Sequence, residues 1–284
     1  MAGHIRGIDH VLIAAADLEH SAQVWRRLGF TLTPYGRHIG KPTANYCIMF
    51  PNDYVELLGI VDEAAPFARH DRLVRQRGDG LLASALAPSD AEAALEAVRA
   101  AGLEPSPLRD LHRKVERPDG PADLYFKNFD VDPGATPDFR MFFCAHLTPD
   151  EMRHPDWLEH ANGVIGLRGY CVASANPGAL AEAYGKLFGA GAITMTDEVL
   201  TIFCNGYRIL FAKPVDLRAL YPEVEQIEDR LPHGAVVSFR VRSNQGAAEH
   251  LRQAGVDFVH ADDGGILLPA REATGVLVEF REGD

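Results

Sequence analysis

At 284 residues and 31.1 kDa, with 46% hydrophobic and 24% charged side chains, the chain can fill one or two well-buried cores. A formal net charge of −12 and a pI near 5.4 argue against nucleic acid as a partner, because binding a phosphate backbone needs clustered Lys and Arg. No apolar run approaches the roughly 20 residues of a membrane span, and the opening stretch from Met1 to His10 contains no signal-peptide core.

From residue 7 the sequence reads GIDHVLIAAADLEHSAQVWRRLG. This is a short apolar strand, then Asp17 as a helix N-cap, then Leu18, Ala22, Trp25 and Leu28 at helical spacing, with Gly29 as the stop. Strands are predicted next at 30–33, 43–50 and 54–59, the last two separated by the turn Pro51-Asn52-Asp53. Residues 81–102 repeat the plan with an Ala-rich helix ending in Ala-Gly. An extended piece at 103–105 follows, and then strands at 124–129 and 139–144 around a Pro/Gly-rich insertion. Residues 147–162 carry two prolines, several charges and Trp157, and are read as a short helical linker that packs, with His154 and His160 as packing or interface residues. A third copy runs over 166–189, with Asn176 as cap, Leu180, Tyr184 and Leu187 on one face, and Gly189 at the end. Its strands are 192–196, 200–203 and 207–211, and Asn205-Gly206 is a type I′ hairpin signal. The fourth copy, 235–255, leads into strands at 258–261, 266–269 and 276–281. One helix and about four strands, repeated four times, predict an α+β fold of four βαβββ modules in two paired-module half-barrel domains, 1–146 and 163–284.

Cys47, Cys144, Cys171 and Cys204 are scattered, each within an apolar run, as buried free thiols in a reducing compartment would be. A cytoplasmic protein is therefore expected.

The stretches Gly7-Ile8-Asp9-His10-Val11, Arg27-Leu28-Gly29-Phe30 and Tyr54-Val55-Glu56-Leu57 together resemble the vicinal oxygen chelate superfamily. That group spans glyoxalase I, extradiol dioxygenases, fosfomycin-resistance proteins and metal-free drug-binding proteins. Residues 37–46 and 142–150 are similar, more narrowly, to glyoxalase-like-domain proteins. The resemblance implies a metal held between paired modules by the start of a first strand and by a last strand, which here places His10 and Glu56 as ligands. His and carboxylate suit a catalytic Fe, Mn, Ni or Zn ion with open positions.

The second module offers neither residue at the matching places. His146 is the candidate third ligand, because Phe142, Cys144 and His146 share one face if the strand runs on. His38, in a loop of the first module, is the alternative ligand and a candidate acid/base with Glu56. For substrate binding the candidates are Arg37 and Arg117 as anion anchors, Asn45 or Tyr46 by strand alternation, and Phe142. In the second half Glu279 matches Glu56, but Gly169 and Val236 or Val237 stand where His10 would fall, so that half is read as lacking a complete metal site.

Two functions follow. One is a metal-dependent lyase, isomerase or dioxygenase acting on a small oxygenated molecule; the other is a metal-free small-molecule-binding protein using the same cavity. An extradiol dioxygenase fits less well, since those relatives carry their metal in the second pair of modules, where this chain lacks the histidines. The superfamily also implies a homodimer as an option.

Overall fold

The structure, a computed structural model, describes residues 2–38, 40–64, 71–72, 75–76, 79–222 and 231–283. The first module runs β1 (Ile5–Ala15), α1 (Leu18–Arg27), β2 (Gly36–Arg37), β3 (Thr43–Met49) and β4 (Tyr54–Ile60). The second is β5 (Gly80–Pro88), α2 (Ala91–Ala100), β6 (Arg109–Arg117), β7 (Gly120–Asp130) and β8 (Arg140–His146). After the short α3 (Pro149–Met152), the third comprises β9 (Val164–Ala173), α4 (Ala181–Phe188), β10 (Ile193–Thr196), β11 (Val199–Cys204) and β12 (Tyr207–Ala212). Following α5 (Pro214–Leu220), the fourth has β13 (His233–Val241), α6 (Asn244–Gln253), β14 (Val259–His260), β15 (Ile266–Leu268) and β16 (Leu277–Glu282). The four βαβββ modules are thus observed.

The helices form where local chemistry asks for them. Asp17 is extended and its side chain accepts from His20 N–H at 2.9 Å, satisfying an N-terminal donor of α1, while Asp90 does the same for α2 through Ala93 N–H at 2.8 Å. The Asn205-Gly206 turn has positive φ at both residues, 45° and 86°, as a type I′ turn requires.

Within each half, the first strands of two modules lie side by side and antiparallel, β1 on β5 and β9 on β13. Each first strand is parallel to its module's last strand, giving the orders β2-β3-β4-β1-β5-β8-β7-β6 and β10-β11-β12-β9-β13-β16-β15-β14. A contact between Gly234 and Leu81 joins the two into one sheet system.

Alternation along the strands sorts the side chains by face. Val11 and Ile13 of β1, Val55 and Leu57 of β4, and Met141 and Phe143 of β8 enter one large core, shared with α1, α2, α4 and α6 and with the second half. Leu12, Tyr54, Leu58, Phe142 and Cys144 face the other way and form a separate cluster under a cavity. The second half has its own opposite-face cluster around Cys171, Tyr221 and Val236. The linker packs as its sequence predicts: Trp157 is buried, and His160 joins Met49 O and Thr31 N–H.

The shared core ties the halves together through polar contacts as well. Trp25, fully buried, donates its indole N–H to Thr274 Oγ1 at 2.9 Å. Thr274→Val keeps the side-chain shape and leaves that donor unpartnered, so denaturant unfolding is expected to show a loss of about 1–3 kcal/mol. An unchanged midpoint would mean that the bond contributes nothing.

Three expectations need correction. Residues 30–33 form no strand, although Thr33 N–H still reaches Cys47 O at 2.8 Å; the edge strand is β2, further along. The extended piece in the fourth module shrinks to Val259–His260. Most important for the site, β6 is a nine-residue strand the sequence did not suggest. Its alternating Arg109, Leu111, Arg113 and Val115 look like a solvated charged stretch, yet they form a hairpin with β7 over the cavity.

Candidate metal and substrate site

A cavity of about 480 Å³ opens on the first half, between β1, β3 and β4 on one side and β6, β7 and β8 on the other. His10 and Glu56 lie on its floor, 3% and 8% exposed. They come from adjacent parallel strands, with Leu12 opposite Glu56 and His10 one step of the pleat away.

The tautomer of His10 is fixed by its neighbour. Its Nδ1 lies 2.6 Å from Asp9 Oδ1, and a carboxylate can only accept, so Nδ1 carries a proton and Nε2 is the atom turned to the cavity. That Nε2 sits 3.7 Å from Glu56 Oε2. On the other side His38 bonds Thr43 Oγ1 through Nδ1 at 2.8 Å and faces Glu56 Oε1 with Nε2, also at 3.7 Å. Asn45 donates to Glu56 Oε1 at 2.6 Å and accepts from Arg113 Nη1 at 3.4 Å. Gly36 in β2 makes room for this amide, since a Cβ there would collide with Asn45 Oδ1.

Electrostatics keep Glu56 ionised. Burial pushes its carboxyl up, but His38, His10 and the Asn45 amide outweigh that and hold it below the usual carboxylate range. Burial likewise acts against the Asp9 carboxylate, and His146 and His10 pull it well below its ordinary value.

The sequence-derived candidates therefore divide. His10, Glu56, His38, Asn45 and Phe142 meet in the cavity. His146 does not join Glu56: its Nε2 bonds the same Asp9 oxygen at 3.1 Å, and its Nδ1 is buried without a partner. The strand parity holds, and His146 gathers with Asp9 and Cys144, the ligand atoms of the three lying within 4.8 Å of one another. Tyr46 turns to the opposite face and donates to Glu19 at 2.7 Å. Arg37 is exposed and pairs with Asp62, while Arg117 pairs with Glu151 and Asp119, so neither lines the cavity.

The cations that do line it are Arg109, Arg113 and Arg140. Asp130 holds Arg109 and Arg140 at 2.5 and 2.6 Å. Among the described residues Arg113 has no carboxylate within 4.0 Å, and its guanidinium lies 5.9 Å over the Phe126 ring. Tyr54 stacks on the His10 imidazole at 4.3 Å and Phe142 meets it edge-on at 5.7 Å, which walls the ring with apolar surface. Of these, Arg109 and Arg113 had one legible signal, the two-residue period of β6.

Two donor groups could hold an ion. Two imidazole nitrogens around one carboxylate suit a divalent transition metal, and separations of 3.7 Å fall within the ~4.2 Å spanned by two metal–ligand bonds. Asp9, Cys144 and His146 form the other group, within 4.8 Å of one another. There Asp9 Oδ1 accepts from two imidazoles, those of His10 and His146. Through the Asp9 carboxylate that group also supports His10 from behind. Among the described residues it is the Asp9 group whose three ligand atoms converge this closely; His10 and His38 each face a different oxygen of Glu56 at 3.7 Å, on the side open to the cavity.

A family model described as "Glyoxalase-like domain" matches residues 8–188. The chain belongs to the glyoxalase-like domain family. No curated protein matches it in sequence. Among solved structures, a hypothetical protein from Staphylococcus aureus is 13% identical with a TM-score of 0.65, covering 97% of this chain and 99% of its own. A triple mutant of 4-hydroxymandelate synthase from Streptomyces coelicolor is 13% identical, TM-score 0.62, covering 98% and 93%. A xylose isomerase-like TIM barrel/4-hydroxyphenylpyruvate dioxygenase fusion protein is 15% identical, TM-score 0.59, covering 99% of this chain and 49% of that one. The fold of this glyoxalase-like protein is that of the vicinal oxygen chelate superfamily. Among the described residues, no helix is long and apolar enough to cross a membrane.

Proposed function

We propose that this glyoxalase-like protein is a metal-dependent enzyme acting on a small oxygenated organic anion in the first-half cavity. One observation carries the reading: two imidazoles with their other nitrogens engaged present Nε2 to the two oxygens of one buried, ionised carboxylate. Two imidazoles and a carboxylate on the floor of a substrate-sized cavity are the donor types a divalent transition metal takes.

His10, Glu56 and His38 would hold the ion, and when bound it supplies Lewis acidity toward vicinal substrate oxygens. The remaining work belongs to the chain. Arg113, with no carboxylate within 4.0 Å among the described residues, anchors the anionic group of the substrate. Asn45 fixes the Glu56 Oε1 position and leaves Oε2 as the atom able to take or return a proton. Asp9 keeps His10 in its tautomer, and Tyr54 and Phe142 exclude water from the imidazole. Isomerase, lyase and dioxygenase chemistry all use these parts. The likeness to 4-hydroxymandelate synthase, an enzyme named for a small oxygenated acid, supports a substrate of this class. The free buried thiols support a cytoplasmic setting.

The test is elemental analysis of the purified chain. Stoichiometric transition metal is expected, lost in His10→Ala and retained in His146→Ala. Loss in His146→Ala with retention in His10→Ala would move the ion to the Asp9 group. A chain that neither carries nor takes up metal would leave a metal-free small-molecule binder.

A further inference from the structure

The second half keeps the carboxylate of the first but surrounds it differently. Glu279 stands opposite Ser238 in register, as Glu56 stands opposite Leu12, and is 4% exposed. No histidine approaches it among the described residues that line its cavity, which measures about 450 Å³. Gly169, where the third module would place its counterpart of His10, has φ +153°, and a Cβ there would collide with the Arg208 carbonyl oxygen, so the backbone itself excludes a ligand side chain.

Arginines occupy the space instead. Arg281 donates from Nε to Glu279 Oε1 at 2.7 Å and also pairs with Asp263, with its guanidinium packed on Gly265, where any side chain would collide with it. Arg168 approaches Glu279 Oε2 at 3.9 Å, and Ser238 donates to the same oxygen. Glu279 is thus already satisfied by Arg281 and Ser238. Arg208 also lines the cavity and has no carboxylate within 4.0 Å among the described residues. Guanidinium groups are permanently charged and can only donate. The lining carries three carboxylates as well: Arg281 engages Glu279 and Asp263, and Glu282 accepts from Asn244 N–H, which leaves the guanidinium donors of Arg168 and Arg208 to face an acceptor-rich ligand.

The geometry points to a second binding site in the C-terminal half, selective for a small organic oxyanion gripped by Arg168 and Arg208, with Glu279 serving to hold Arg281 in the wall. It is independent of the metal reading for the first half.

Isothermal titration of the full chain with citrate and, separately, inorganic phosphate tests it. Saturable binding is expected for at least one of the two, and which one binds tells carboxylate from phosphate recognition. Arg208→Ala and Arg168→Ala should each weaken it about tenfold or more, the scale of a lost charge-assisted contact. Arg208→Lys, at an exposed position that tolerates change, should weaken it too by losing the planar fork. Arg113→Ala in the other cavity should leave it intact. Absence of saturable binding by both anions, or binding that survives Arg168→Ala and Arg208→Ala together and disappears in Arg113→Ala, would overturn the proposal.

Discussion

Glu56→Gln is expected to fold normally and to lose metal affinity by more than ~100-fold, the range in which removing even an outer support of a ligand ends. The variant is chosen for its shape. A glutamine oxygen can still accept from Asn45 Nδ2, and its amide can donate toward His10 Nε2, so the packing of the floor survives while the charge goes. What disappears is the anionic donor on which both imidazoles converge. With any substrate the site turns over, loss of the proton-handling oxygen should also lower kcat by about 10²–10⁴. Chelator competition on the wild type and the variant, with thermal melting as the control for folding, checks the first part. Wild-type affinity in the variant would sink the ligand role of Glu56, whatever the activity.

The repeat is legible because it is written in periodicity: caps such as Asp17, glycine stops such as Gly29, and the Asn205-Gly206 turn are local features that fix element type. His10 and Glu56 stand out in the sequence because a buried polar residue on an apolar strand demands a partner, which Asp9 supplies to His10 and Asn45 to Glu56. His38 stands as the lesser candidate in sequence because a loop histidine carries no periodic signal; only the hairpin closing through Thr43 brings it over Glu56. Parity favours His146, but parity gives the face of a strand and not the distance along it. Arg113 stays hidden as long as β6 reads as charged surface. Arg117, four residues on, shares its face, yet lies beyond the rim and pairs with Glu151.

The contribution of one residue, Asp53, to stability should fall as pH rises from about 4 to about 7, and Asp53→Asn should remove that contribution. Asp53 sits in the turn between β3 and β4, 2% exposed, where it ties the first half to the second. It accepts from Leu167 N–H of β9 at 2.9 Å and from the Tyr207 hydroxyl of β12 at 2.7 Å. Burial pushes its carboxyl up from 3.8 to about 7, more than the Leu167 and Tyr207 hydrogen bonds and Arg240 pull it down. The sign follows from that direction. Below pH 3.8 both folded and unfolded chains hold the proton, and the contribution to stability is complete. Between 3.8 and about 7 the unfolded chain releases the proton and the folded chain keeps it, so each step up in pH favours unfolding. Above about 7 both have lost it, and the difference levels off after a loss on the order of a few kcal/mol. Asparagine preserves the acceptor for Leu167 and can donate to the Tyr207 oxygen without ever carrying charge. Asp9 and Glu56, both held below their ordinary values, push the wild-type profile the opposite way in acid. The measurement is therefore the difference between variant and wild type, from urea unfolding across this range. A variant that gains steadily on the wild type up to about pH 7 and then keeps a constant lead supports a protonated acid at the junction of the halves. A difference that stays flat with pH would show that Asp53 is ionised throughout, held by its two donors and Arg240 against its burial.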